Sequence, residues 1–244
     1  MLIKLLIAVL VGWASSAIIN YLADTLPISK RGCPSCGTKR SYQEYLFFKA
    51  CKNCGFISRR VFIVWISCII SLFAAFQYSF LGFSVAVMDS IIIFFYFLVI
   101  VIDLEHHLVL HKVTLAGGMI FLIIGILSHR LLPTLFGLIA GAVFFFIIFL
   151  LGQAYSAIKA KQTGQPVEDA IGFGDVTLSA VCGSLVGWPT IITVLVYGIA
   201  LGGISSLLYL VFEKIYRKKD VSQAFIAYGP YISLSTLFFW FFAR

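Results

Sequence analysis

The 244 residues are 61% hydrophobic and 16% aromatic but only 11% charged, and mean hydropathy is +1.04. Soluble globules are about half apolar, so this composition excludes a soluble domain and calls for a polytopic membrane protein. The net charge of +8 is dispersed among loops between apolar runs, which argues against a nucleic-acid partner, since that needs a folded basic face with interleaved aromatics.

Runs long enough for the roughly 20 residues that cross a bilayer lie near 1–23, 61–80, 84–102, 113–129, 132–152, 176–188, 190–212 and 224–242. The expected fold is therefore an all-α membrane bundle of about eight transmembrane helices, the sixth of them short. Basic residues in short loops mark the cytoplasmic side. With the N-terminus outside, the inner loops hold 15 of the 18 Lys and Arg, leaving Lys4, Arg130 and Arg244 outside. Ala14-Ser15-Ser16-Ala17 would suit a cleaved secretory signal, but the apolar run continues through Ile18, Ile19, Tyr21 and Leu22, which favours a retained first helix over 1–27.

Residues 28–60 form the only sizeable polar segment, expected to be a cytoplasmic loop. It carries Cys33-Pro34-Ser35-Cys36 and Cys51-Lys52-Asn53-Cys54, each followed by a glycine, Gly37 and Gly55. Two such knuckles supply four thiolates for a tetrahedral, structural Zn²⁺ site resembling a zinc ribbon, with no open coordination position for catalysis. Disulfides would not persist in a reducing cytoplasm. Cys68 and Cys182 lie in apolar runs and read as small buried hydrophobes.

The third run ends in Ile102-Asp103-Leu104-Glu105-His106-His107, followed by Leu108 to Lys112. Asp103, His107 and His111 would share a face if this segment were one helix, which raises a two-histidine, one-carboxylate metal reading; hydrated histidines at a membrane surface are the stronger reading. Asp89 reads as a hydrated carboxylate near the outer end of its helix. Residues 153–171 read as a polar loop. Gly172-Phe173-Gly174-Asp175 then opens the short sixth helix, and Tyr228-Gly229-Pro230 is expected to break the last helix near its start.

Counting helices puts Asp103 at the inner end of the third and Asp175 at the inner start of the sixth. If they face each other, mutual repulsion makes them share a proton, one acid and one base, able to drive water onto a peptide carbonyl. Gly172 and Gly174 would allow the irregular backbone that a closely approaching substrate strand requires.

Gly172-Phe173-Gly174-Asp175-Val176-x-Leu178 resembles the GxGD signature of the type IV prepilin peptidases. The segment from Ile102-Asp103 through Thr114 is similar to that family's other aspartate segment, and the four-cysteine loop to its N-terminal cysteine domain. Asn20 with Leu26-Pro27 matches the end of its first helix, and Tyr228-Gly229-Pro230 its C-terminal FGP. The resemblance implies a bacterial inner-membrane, multi-pass aspartic endopeptidase, its peptidase domain spanning 61–244. It would remove the leader of prepilins or pseudopilins at the cytoplasmic face, with Asp103 and Asp175 catalytic. It also implies N-methylation of the new terminus from S-adenosylmethionine in many members. The chain departs from the family at Leu110-His111, where Pro-Asp or Pro-Asn is usual, and at Thr177, where lysine is common. Ser58-Arg59-Arg60-Val61-Phe62 lacks the acid often found after the second cysteine pair, which leaves methyl transfer open. Two rival readings are a non-enzymatic scaffold docking pilus-assembly partners through the zinc loop, and a transporter relaying protons through the two acids. Neither accounts for the cysteine loop and both aspartate segments together.

Overall fold

The computed structural model describes residues 2–27, 33, 35–38, 40–47, 49–56, 65, 83–163, 172–212 and 228–242. These form eight helices and no strand: α1 (Leu2–Thr25), α2 (Tyr42–Leu46), α3 (Phe83–His106), α4 (His111–His129), α5 (Leu131–Thr163), α6 (Phe173–Val186), α7 (Thr190–Phe212) and α8 (Gly229–Phe242). Among the described residues α3, α4, α5 and α7 are long and apolar enough to cross a membrane, so the chain is an all-helical membrane protein. The expected run at 61–80, the turn at Gly82, Cys68 and the inner loop at Lys214–Asp220 lie outside the described residues.

The chain divides into two compact units, Met1–His106 and His107–Arg244. In the first, α1 packs against both α2 and α3. The C-terminal part of α3 is nearly closed off from solvent, with Ile92, Tyr96, Val101 and Ile102 all buried. Asp89 is buried too, at 1% exposure, which corrects the expectation of a hydrated carboxylate there.

In the second unit α6 is the centre. It is 14 residues long, about 21 Å at 1.5 Å per residue, too short to span alone. It compensates by packing backbone to backbone on α5 and α4: a Cβ at Gly137 would overlap the carbonyl oxygen of Gly183, and one at Gly183 the carbonyl of Gly137. Ser179 Oγ donates to Gly141 O at 2.8 Å across the same seam. Apolar side chains gain little by leaving lipid for another helix, so small residues that allow backbone contact hold such pairs together. α8 packs on α7, where Ser235 Oγ donates to Val194 O at 2.7 Å.

One boundary differs from expectation. Residues 153–163 continue α5 rather than forming a loop. Gln153 to Gln162 is rich in Ala, Lys and Gln, with no Gly or Pro before Gly164, and such residues keep a helix going. Gly229-Pro230 lies in the first turn of α8, where proline's missing N–H has no partner to lose; the part of the expected run before it, 224–227, lies outside the described residues.

The seam between α5 and α6 gives a direct test. Gly183→Val should cost about 1–3 kcal/mol through overpacking, read as a lower thermal unfolding midpoint in detergent, while Val181→Ile on the same helix should change it far less.

Candidate active site and metal centre

The four cysteines converge. Their Sγ atoms all lie within 4.8 Å of one another, with Cys33 to Cys54 at 3.6 Å and Cys36 to Cys51 at 3.7 Å. Thiolates around a tetrahedral Zn²⁺ at about 2.3 Å stand about 3.8 Å apart, so the separations fit a metal and are far too long for a sulfur–sulfur bond. Both knuckles are built alike. Gly37 N donates to Cys33 O and Gly55 N to Cys51 O, each at 2.8 Å. Cys33 N donates to Thr38 O at 2.8 Å and Cys51 N to Phe56 O at 3.1 Å. Both glycines take the left-handed conformation, φ +69° and +66°, which a side chain would resist.

Thr38 tunes the thiols. Its side chain lies 2.8 Å from Cys36 Sγ and 3.6 Å from Cys51 Sγ. Hydrogen bonding from Thr38 lowers Cys36 and, aided by the backbone amides of Cys54 and Asn53, lowers Cys51 to about 6. Cys54 is opposed by a backbone hydrogen bond from Phe56, yet burial and the neighbouring thiols push it up to about 11.

The cysteine loop is clamped to α1 by a residue not singled out from sequence, Arg40. Its guanidinium, 2% exposed, lies 3.8 Å from Asp24 at the end of α1 and 3.8 Å from Glu44 in α2. Arg40 Nη2 donates to Lys49 O at 2.7 Å, and the group stacks 4.7 Å over the Tyr45 ring. Two buried carboxylates thus share one buried cation. An acid in an otherwise apolar run, Asp24, was the sequence signal for such a partner.

Asp103 sits in the last turn of α3 at 4% exposure, within the first unit. The helix stops at His106, His107 turns back with φ +50°, and α4 begins at His111. Asp103, His107 and His111 therefore do not lie on one helix, which removes the shared face on which the two-histidine metal reading was based.

Asp175 lies in the second unit, in the first turn of α6, at 9% exposure. Gly172 caps the helix in an extended conformation, and Asp175 N donates to Gly172 O at 3.1 Å. The unpaired amides of a helix start favour a carboxylate there. Two helices and the loop before α4 hold this start. Phe173 packs edge-on against His111 of α4 at 5.9 Å and Phe149 of α5 at 5.8 Å. A Cβ at Gly174 would come within 2.6 Å of Val109 Cβ. The two unusual neighbours thus have structural places: His111 braces Phe173, and Thr177 Oγ1 donates to Gly174 O at 2.8 Å.

Two outcomes test the metal centre and its clamp. Cys33→Ser should remove bound zinc measured by elemental analysis. Zinc should also be released as pH falls, because each ligand must lose its proton to bind and acid restores it. Arg40→Ala should cost about 3 kcal/mol by removing the buried cation between Asp24 and Glu44, seen as a lower thermal midpoint with metal still bound.

Residues 90–207 match the model of the type IV leader peptidase family. No match is found among curated proteins or among solved structures. The matched stretch contains both aspartate segments and excludes the cysteine loop. The family resemblance of the two aspartate segments is thereby supported: from within α3 through most of α7, this membrane protein is similar to the type IV leader peptidase family.

Proposed function

We propose that the chain is an aspartic endopeptidase that removes the leader of type IV prepilins or pseudopilins at the cytoplasmic face of a bacterial inner membrane. The observation that carries this reading is the pair of buried carboxylates, Asp103 and Asp175, at the ends of two apolar helices within the family-matched stretch. A carboxylate in such a setting costs several kcal/mol unless it has a role or a partner.

In the proposed mechanism the two acids hold one proton between them. The ionised carboxylate takes a proton from water as its oxygen attacks the scissile carbonyl carbon, and the protonated one donates to the carbonyl oxygen. Collapse of the tetrahedral diol passes a proton to the leaving nitrogen and breaks the C–N bond, returning the pair to one shared proton. Gly172 leaves room at this edge for an extended substrate strand, while Gly174 lets Val109 pack close against the helix start. The four cysteines hold a structural zinc that shapes the preceding loop. S-adenosylmethionine is the methyl donor in the second activity considered, N-methylation of the new terminus, and transfer of its labelled methyl group to the cleaved product decides that activity separately.

Asp103→Asn and Asp175→Asn should each lower leader cleavage by about 100-fold or more in lipid-reconstituted protein, with thermal midpoints retained. Cleavage should also fall on both sides of a pH optimum, as the pair becomes doubly protonated in acid and doubly ionised in base. Cleavage persisting in both variants would overturn the dyad, whereas absence of cleavage by the unaltered protein would favour the scaffold reading.

A further inference from the structure

The four-cysteine centre has a repeated plan that its side chains break. In each knuckle the first cysteine's amide donates ahead, Cys33 N to Thr38 O and Cys51 N to Phe56 O, and a glycine amide returns to that cysteine's carbonyl. This repeat matches Cys36 with Cys54 and Thr38 with Phe56, position for position. The next amides match too: Thr38 N donates to the Cys36 sulfur and Phe56 N to the Cys54 sulfur.

The side chains at the matched positions differ. Thr38 places a hydroxyl 2.8 Å from Cys36 Sγ and 3.6 Å from Cys51 Sγ, whereas Phe56 has only a ring that cannot donate. A thiolate has no proton to give, so the hydroxyl must be the donor, and its single proton goes to the nearer sulfur, Cys36. Among the described residues no side-chain hydroxyl reaches Cys54, whose close side-chain neighbour is Cys33 Sγ at 3.6 Å.

Exposure is divided along the same line. Cys33 and Cys51 are buried, Cys36 is half-buried and Cys54 is exposed. An electrophile must reach a sulfur lone pair to react, so accessible thiolates are the reactive ones. A hydroxyl that donates to a ligand engages that lone pair and fixes the ligand's orientation toward the metal. Two of the four sulfurs are therefore shielded by burial and a third by Thr38, while Cys54 has neither protection.

We infer that Cys54 is the reactive ligand of the centre, a modification site for soft alkylating electrophiles, and that Thr38 protects its counterpart, Cys36. With an alkyl iodide, the Cys54 thiolate forms a C–S bond as the C–I bond breaks, and iodide leaves with the bonding pair. The resulting thioether is neutral. Only the other three thiolates of the cluster then remain for a divalent ion, so alkylation at Cys54 weakens metal binding.

The test treats the full chain, loaded with zinc in detergent, with limiting iodoacetamide. Peptide mass spectrometry quantifies each cysteine, and a chromogenic chelator follows zinc. Cys54 should be modified several-fold faster than Cys36, with zinc release tracking Cys54. Thr38→Val should raise modification of Cys36 several-fold and lower zinc affinity about 10-fold in chelator competition, whereas Thr38→Ser, which keeps the hydroxyl, should retain both the order and the affinity. Equal rates at Cys36 and Cys54 in the unaltered protein, zinc release that follows another cysteine, or an unchanged Cys36 rate in Thr38→Val would overturn the inference. Should Thr38→Val fail to hold zinc, the order of modification in the unaltered protein and in Thr38→Ser decides the matter.

Discussion

The cost of keeping a charged group out of water governs much of this protein. A carboxylate moved into an apolar interior must be neutralised, paired or met by oriented dipoles. Five acids, Asp24, Glu44, Asp89, Asp103 and Asp175, are buried to 9% exposure or less. Asp24 and Glu44 converge on Arg40, and their burden is structural, joining the cysteine loop to α1. Asp175 sits in the amide field at a helix start, where a negative charge is favoured.

What surrounds Asp175 explains how a glycine-flanked acid can be held in place. The two glycines remove side chains from the helix start, and Phe173 between them supplies a ring that α4 and α5 grip through His111 and Phe149. Behind it, the Gly137–Gly183 contact fixes α6 at backbone distance from α5. A short helix seamed so tightly is a rigid mount for the acid at its start, the preorganisation that the proposed peptidase role would call for.

Much of this was legible in the sequence, and the gaps have physical causes. The apolar runs located the helices, because a bilayer demands continuous apolar length. The paired C-x-x-C spacing led to four convergent sulfurs, since each knuckle is a local turn whose geometry its glycine permits. The place of Asp175 in the first turn of α6 was also readable, from glycine followed by an apolar run. What escaped was nonlocal. Arg40 counted as one loop charge among many, and only the fold shows it buried between α1 and α2. Asp89 was assigned to water by its distance from the run's centre, but packing within the bundle decides burial. The extension of α5 to Thr163 depended on helix propensity in a polar stretch, a weaker signal than hydrophobicity.

The account's central claim is that Asp103 and Asp175 act as one acid–base pair. The most direct measurement is the distance between their carboxylates in an experimental structure of the full-length protein in lipid. The account predicts oxygens about 5 Å apart, the span of one water hydrogen-bonded to both, or direct contact through a shared proton. A separation beyond about 10 Å, with substrate peptide bound, would exceed what one water can bridge and would contradict the pair.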